Sequence, residues 1–112
     1  VTLHVNDMEK SLKFYTELLE MPIVRRLPYS GGREIVFLGV EGQPILELIP
    51  SDGFTTYAGI SIGFEVEDLQ AAKQRLAENG YVIAREFSPN PSLTLCFFDG
   101  PNGEEVELLK RG

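Results

Sequence analysis

Two glutamates stand in matching positions among aliphatic residues, and together they could do chemistry. Glu47 lies within the run 44–50, and Glu107 lies within the run 106–109. A carboxylate buried among aliphatic side chains costs free energy unless a partner group satisfies it. Two such residues in matching contexts therefore predict one pocket that both carboxylates line. There they could bind a metal ion, or one could act as a general base. The alternative is that both point to solvent.

The composition limits the classes of partner. A chain of 112 residues with 43% hydrophobic and 24% charged residues is typical of one globular domain. Its net charge of −7 argues against nucleic acid or an anionic membrane as the main partner. No apolar run is long enough to span a membrane and no signal peptide opens the chain, so we expect a cytoplasmic location. The single Cys96 excludes an internal disulfide and is expected to be a buried apolar residue.

The hydrophobic periodicity predicts the same order of elements twice, namely one strand, one helix and three strands. Asp7 and Asp68 each precede an apolar helical stripe and are predicted to be N-caps. The predicted strands cover 1–5, 23–27, 34–40 and 45–49, then 60–66, 81–87, 93–98 and 106–110. The segment 39–42 predicts a hairpin turn, and the proline-rich segment 88–92 predicts a rigid loop.

The two halves match in register, which indicates an internal duplication. The run 5–8 matches 66–69 at an offset of 61 (66 − 5), and 46–48 matches 106–108 at an offset of 60 (107 − 47). We therefore predict an α+β fold in which two tandem βαβββ modules form a curved mixed sheet around a cavity. The single domain would comprise module 1 over 1–50, a linker over 51–59 and module 2 over 60–112.

The opening and closing segments carry a resemblance to a known family. The segment 5–15, followed by 18–21, resembles the strand-to-helix opening of the vicinal oxygen chelate family, and 100–108 is similar to its closing hairpin. That family includes glyoxalase I, fosfomycin-resistance enzymes, extradiol dioxygenases and bleomycin-resistance proteins. Its hairpin reads Asp-Pro-Asp-Gly, whereas this chain has Gly100 in place of the first Asp.

The resemblance also implies a place for a divalent metal ion. Glu47 and Glu107 stand where metal-dependent members have glutamate ligands. The first histidine ligand of those members would fall one residue before Val1, and the second would fall at Ser61. Serine is a poor ligand for a transition metal. The resemblance thus implies at most three of four ligands for an ion such as Ni²⁺ or Zn²⁺.

Other polar residues are candidates for ligand contacts. His4 and Glu65 occupy matching positions (65 − 4 = 61) and could orient a ligand or exchange a proton, although His4 could equally be hydrogen-bonded at a sheet rim. A metal ion relocated onto His4, Glu47 and Glu107 is a further alternative. The candidate catalytic residues are Glu107 and His4.

Small and basic residues complete the predicted binding site. Gly63 would leave open space beside Ser61, although a glycine in a strand can also mark a bulge. Arg25, Arg26 and Arg33 lie on or beside predicted strands near the mouth of the site and could hold an anionic group of the ligand. The alternative for these arginines is solvated surface charge. The predicted ligand-binding residues are His4, Ser61, Gly63, Glu65 and Arg25.

Two classes of function remain open, and whether the protein is an enzyme is open with them. In the first, it binds a small molecule without metal, as bleomycin-resistance proteins do, and Ser61 and the acidic charge favour this class. In the second, it is a metal-dependent lyase similar to glyoxalase I that uses Glu47 and Glu107. An extradiol dioxygenase is disfavoured because Ser61 breaks the required ligand triad. The resemblance implies a homodimer, which would cover exposed sheet edges.

Overall fold

The computed structural model describes residues 1–40, 42–53, 57 and 59–112. The chain divides into two compact units, Val1–Thr55 and Thr56–Gly112. Parts of the predicted linker 51–59, and position 41 of the predicted hairpin turn, lie outside the described residues. That the two units make up one domain stays a prediction.

Unit 1 has the predicted order of elements. The elements are β1 (Thr2–Val5), α1 (Met8–Leu12), a π-helical segment (Lys13–Leu18), β2 (Ile23–Pro28), β3 (Glu34–Val40) and β4 (Gln43–Pro50). The strands form a mixed sheet of order β1-β4-β3-β2, in which β1 and β4 are parallel and the other neighbours are antiparallel. The Asp7 side chain caps the helix by accepting a hydrogen bond from the Lys10 N–H at 3.0 Å.

Unit 2 repeats this arrangement with the elements β5 (Ser61–Glu65), α2 (Leu69–Glu78), β6 (Arg85–Asn90), β7 (Leu93–Asp99) and β8 (Glu105–Arg111). Its strands form a sheet of order β5-β8-β7-β6. Asp68 caps the helix by accepting from the Ala71 N–H at 3.0 Å, and Gly80, with a φ of 87°, follows the helix end. The predicted α+β class with two βαβββ modules is therefore confirmed.

The sixth strand lies further along the chain than the sequence predicts. It runs over Arg85–Asn90 rather than 81–87, so the expectation of a rigid loop over 88–92 was wrong. β6 is an edge strand, where Pro89 can be tolerated because one side of the strand needs no ladder partner. The ladder with β7 is irregular between Phe87 and Asn90, and the Asn90 side chain accepts from the Ser92 N–H at 2.9 Å.

Each sheet has two distinct faces. The helix face of each sheet carries the buried aliphatic residues, and it packs with the helical residues of the same unit. In unit 1 these residues are Leu3, Val5, Val36, Leu38, Leu46 and Leu48, and in unit 2 they are Ile62, Cys96, Phe98, Val106 and Leu108. The burial of Cys96 was predicted and is confirmed. The opposite face of each sheet carries the candidate functional residues.

Two buried ionisable groups predict that the protein loses stability at high pH. Burial and, to a smaller extent, the nearby carboxylate of Glu86 raise the pKa of the Cys96 thiol, while Lys73 lowers this pKa by less. Burial and the carboxylate of Glu104 raise the pKa of Tyr81. A folded-state pKa above the unfolded value stabilises the protein below the unfolded pKa, and this stabilisation is lost as the pH rises through the folded pKa. The unfolded values are about 8.5 for Cys and about 10 for Tyr, so the loss begins there.

Urea unfolding at about pH 7.5 and about pH 10.5, on either side of these values, measures the effect. We expect a lower unfolding midpoint at the higher pH and a smaller difference in Cys96→Val and Tyr81→Phe. Val is the matched choice because Val36 occupies the equivalent position in unit 1 (96 − 36 = 60). Equal midpoints for the natural chain at both pH values would contradict the prediction.

Candidate functional site

The opposite face of unit 1 carries an acidic, an aromatic and a basic residue in one row across three strands. Glu47 on β4 pairs in register with Phe37 on β3, and Phe37 pairs with Arg25 on β2. On the other side of Glu47, the Thr2 hydroxyl on β1 donates to Glu47 Oε1 at 3.0 Å. Neighbouring strands are about 4.8 Å apart, so Glu47 and Arg25 stand about two strand spacings from each other.

Unit 2 carries the same row on its own opposite face. Glu107 on β8 pairs with Phe97 on β7, and Phe97 pairs with Arg85 on β6. Gly63 on β5 pairs with Glu107 on the other side. Each member of this Glu–Phe–Arg row follows its equivalent in unit 1 by 60 residues (107 − 47, 97 − 37, 85 − 25). The duplication has thus kept three chemically distinct residues together in both copies.

The aromatic and basic members of the unit 2 row form a stacked platform. The guanidinium carbon of Arg85 lies 4.4 Å from the centroid of the Phe97 ring, within the range of a cation–π interaction. The Phe97 and Phe87 rings are stacked, with centroids 6.0 Å apart and an interplanar angle of 10°. Phe87 is 43% exposed, so it is not a core residue. Phe97 itself is buried at 8% exposure, so Arg85 and Phe87, which cover it, form the surface that this platform offers beside Glu107.

Gly63 leaves space beside the carboxylate of Glu107. A Cβ atom built at Gly63 would lie 3.7 Å from Glu107 Oε1, which is an ordinary contact. The ladder between β5 and β8 runs without a register shift from Ser61 to Glu65, so Gly63 does not mark a bulge. The alternative explanation for this glycine is therefore wrong, and the space above it is available to a ligand.

Ser61 and Glu65 flank Gly63 on the same face, and both interact with neighbouring side chains. The Ser61 hydroxyl donates to Glu105 on β8 in a short hydrogen bond. Glu65 Oε1 accepts from Arg111 Nε at 2.9 Å, with both side chains more than half exposed. An exposed pair of this kind contributes little to stability. Ser61 and Glu65 can therefore line the rim of a site.

His4 lies on the opposite face of unit 1, two residues beyond Thr2 on β1, and is exposed. Its partner in register on β4 is Ile49. Unit 1 thus brings His4, Arg25 and Glu47 to one sheet face. Unit 2 brings its own four candidates to one face, namely Ser61, Gly63, Glu65 and Glu107. That the two sets line one cavity stays a prediction.

The side chains of each unit do not by themselves fit a metal ion. Among the described residues, neither unit brings together three or more His, Cys, Asp or Glu side chains placed to hold one. Structural and catalytic transition-metal sites use at least three such protein ligands. At the position implied for a histidine, the Ser61 hydroxyl is hydrogen-bonded to Glu105.

The closing hairpin positions β8 and explains the departure at Gly100. Glu104 is fully buried, and its two carboxylate oxygens accept from the Asn102 N–H at 2.7 Å and from Asn102 Nδ2 at 3.0 Å. A Cβ atom at Gly100 would lie 2.8 Å from Glu104 Cδ, closer than real Cβ contacts. The buried glutamate thus occupies the space that an aspartate at position 100 would need.

Phe37, Phe97 and Arg85 were not among the predicted site residues. The signal that would have found them is present in the sequence, because the offset of 60 that relates the two glutamates also relates Arg25 to Arg85 and Phe37 to Phe97. Without the register of the strands, these matches do not reveal that the residues share a row. The pairings across β2, β3 and β4, repeated in unit 2, supply that information.

Two tandem βαβββ units, each with a glutamate on the sheet face opposite the helix, define a glyoxalase-like protein. The chain belongs to the Glyoxalase/Bleomycin resistance protein/Dioxygenase superfamily, whose family model matches residues 1–108. It is 30% identical to a lactoylglutathione lyase of Neisseria meningitidis over 97% of this chain and 86% of that protein.

Solved structures agree with this assignment of the fold. The chain is similar to the trypanothione-dependent glyoxalase I of Leishmania major, with a TM-score of 0.78, 29% identity, and coverage of 98% of this chain and 83% of that one. An antibiotic-binding protein from Streptomyces has the same fold, with a TM-score of 0.71, 21% identity, and coverage of 100% and 93%. Within the described residues, no helix has the length and apolar character needed to cross a membrane.

Proposed function

We propose that this protein binds a polar small molecule without a metal ion, on the sheet faces that carry Glu47 and Glu107. The observation that carries the proposal is the Glu–Phe–Arg row, which is built at equivalent positions in both units. A duplication copies every residue at first, but other positions of the same faces now differ, with Thr2 and His4 of unit 1 matching Gly63 and Glu65 of unit 2. That the row is the same in both units supports a shared role for its three residues. The row suits a ligand with several chemically different groups.

The chemistry of the row indicates the ligand class. Carboxylates accept hydrogen bonds, so Glu47 and Glu107 favour cationic or polyhydroxylated groups. Phe37, which is half-buried, and Phe87, which is exposed and stacked on the buried Phe97, favour an apolar or planar part of the ligand. Arg25 provides donors for an acceptor further along the ligand. The net charge of −7 attracts a cation over longer distances. Glu107 is the main binding residue in this account, with His4, Ser61, Gly63 and Glu65 around it.

Calorimetric titration of bleomycin, kanamycin and spermidine, each in the presence of EDTA, tests the proposal. We expect saturable binding of at least one of these probes, unchanged by the chelator. Glu107→Gln should weaken it by about tenfold or more, because a charge-assisted hydrogen bond is lost. Glu67→Gln, an exposed position outside the row, is the matched control and should not change the affinity.

Three results would contradict the proposal. The first is a failure of all three probes to bind, which would overturn the cationic or polyhydroxylated ligand class. The second is an affinity that does not change in Glu107→Gln. The third is binding that disappears with the chelator, which would favour a role for metal.

A metal-dependent lyase similar to glyoxalase I is the second candidate. It is favoured by the 30% identity to a lactoylglutathione lyase over nearly the whole chain. It is also favoured by Glu47 and Glu107, which stand where the resemblance implies glutamate ligands of Ni²⁺ or Zn²⁺. It ranks second because Ser61 replaces a ligand and neither unit alone offers three ligand side chains among its described residues. A hemithioacetal assay with added Ni²⁺ tests it directly.

The homodimer and the cytoplasmic location expected from the sequence stay predictions. Light scattering coupled to size-exclusion chromatography would decide the oligomeric state. A dimer would be consistent with the four-stranded sheets, which each have edges that a second copy could cover.

A further inference from the structure

We propose that unit 1 holds a second ligand site, in the groove between α1 and the helix face of its sheet, for a small organic anion with an apolar body. This groove is on the other side of the sheet from Glu47, so the proposal does not depend on the function proposed above. The shape of the groove, its charges and its counterpart in unit 2 support the proposal.

The groove is a cavity of about 430 Å³, which is within the range of small-molecule sites. Val5 and Val36, both buried, form its floor, and Met8 and Leu12 of α1 form an apolar wall. The rim is charged and consists of Arg26, Arg33, Glu34 and Asp52. An apolar floor below a charged rim suits an amphipathic ligand.

Arg26 is placed to bind an anionic head group. It pairs in register with Val36, so it lies on the helix face, whereas Arg25 lies on the opposite face. Within the described residues, its side chain makes one hydrogen bond, from Nη1 to Glu34 Oε1 at 3.1 Å. A guanidinium has five N–H donors in a planar fork, so the Nε and Nη2 donors of Arg26 are available to a carboxylate.

Arg33 adds positive charge at the same rim. Its Nη1 lies 2.8 Å from Asp52 Oδ1, but the Asp52 side chain is 91% exposed. Exposed ion pairs of this kind are weak, so a ligand carboxylate can compete with Asp52 for Arg33. The two carboxylates of the rim balance its two arginines, so an anion would bind through the remaining donors of Arg26 and by displacing the exposed Asp52 from Arg33.

Unit 2 provides an internal comparison for the groove. Its residues at the positions of Leu12 and Arg26 are Lys73 (73 − 12 = 61) and Glu86 (86 − 26 = 60). Lys73 Nζ lies 2.5 Å from Glu86 Oε1, an ion pair that joins α2 to β6. Below it lies Cys96, which is fully buried and equivalent to Val36 of the unit 1 floor.

Unit 2 has a smaller cavity of about 350 Å³ at the equivalent place, and the two repeats differ in the side chains that line it. In unit 2 an ion pair joins the helix to β6 above the floor, whereas in unit 1 the equivalent residues are the apolar Leu12 and the guanidinium of Arg26, which line the groove above the buried Val5 and Val36. A carboxylate bound to Arg26 would place its apolar chain against Met8 and Leu12, above these two valines. This geometry points to a medium-chain carboxylate as the ligand class.

Octanoate is the probe, titrated into the full chain while the methyl resonances of Val5 and Val36 are followed by NMR. We expect saturable shifts that fit one site. The double variant Leu12→Lys/Arg26→Glu transfers the ion pair of unit 2 into unit 1 and should weaken octanoate binding by about tenfold or more. Lys13→Glu changes the charge of an exposed neighbour of Leu12 outside the groove and should leave the affinity unchanged.

The reverse substitutions, which introduce the unit 1 residues into unit 2, also test the comparison between the two grooves. Lys73→Leu/Glu86→Arg removes the ion pair of unit 2, and we expect a second octanoate site and faster alkylation of Cys96 by iodoacetamide. Arg26→Gln keeps Leu12 in place and serves if the double variant in unit 1 fails to fold. Octanoate shifts that do not saturate, or an affinity unchanged in both unit 1 variants, would overturn the proposal, as would a Cys96 that stays equally protected.

Discussion

Replacing Gly63 by Leu should weaken binding of the small molecule at the Glu107 row by about a hundredfold or more, because the new side chain fills the space beside Glu107 that the ligand needs. The fold should be unaffected, since β5 continues in register through this position and most residues favour a strand more than glycine does. Calorimetry with whichever of bleomycin, kanamycin and spermidine binds most tightly measures the affinity, and urea unfolding measures the stability.

Gly63→Ala is the matched control. The Cβ atom of Ala would make an ordinary contact of 3.7 Å with Glu107 Oε1, so the site stays open. We expect its affinity to remain within about threefold of the natural chain, and its stability to be equal or higher. If the Leu variant binds as tightly as the Ala variant, the ligand does not occupy the space beside Glu107.

Replacing Gly39 by Ala should produce the largest loss of stability of any glycine substitution in unit 1. Gly39 has a φ of 144°, and a Cβ atom there would lie 2.7 Å from the Ile45 backbone nitrogen and 3.0 Å from the Gln43 carbonyl oxygen. Backbone strain and overpacking each cost about 1–3 kcal/mol, so the free energy of unfolding should fall by roughly 2–5 kcal/mol. Urea unfolding measures this change.

The effect matters for the site because Gly39 lies at the register shift between β3 and β4. This irregularity sets the pairing that places Glu47 beside Phe37. Gly53→Ala is the control, since a Cβ atom there meets no atom within 4 Å and its φ requires no glycine. It should change stability by less than about 0.5 kcal/mol, as ordinary surface substitutions do. A Gly39→Ala variant as stable as Gly53→Ala would contradict the clash with the β4 backbone.

Much of the fold could be predicted because its signals are local. Asp7 and Asp68 are N-caps in the sequence and in the structure, and the repeat between the halves gives the order of the elements. The π-helical segment Lys13–Leu18 could not be predicted, because its apolar stripe also fits an α-helix and only the hydrogen bonding differs. The path of β6 was missed because Pro89 suggests a loop unless the strand is known to be an edge.

The candidate site was predictable where a residue type is unusual for its surroundings. Glu47 and Glu107 stood out because carboxylates are uncommon among aliphatic residues. Phe97 did not stand out, because phenylalanine is common among buried residues, and Phe97 is itself buried although it lies on the face opposite the helix. Arg26 and Glu86 occupy equivalent positions on the helix faces of the two units, but among the described residues only Glu86 forms an ion pair with Lys73 of the helix. The spacing of residues in the sequence does not show which side chains contact each other between a helix and a strand.

The most direct test of the central claim is a calorimetric titration of Ni²⁺ and Zn²⁺ into the metal-stripped full-length protein and into its Glu47→Gln and Glu107→Gln variants. We predict that neither Ni²⁺ nor Zn²⁺ binds tightly and stoichiometrically in a way that depends on either glutamate. The small-molecule probe should still bind in the presence of the chelator. Sub-micromolar binding of one ion per chain, lost in Glu47→Gln, would contradict it and make the lyase the leading function.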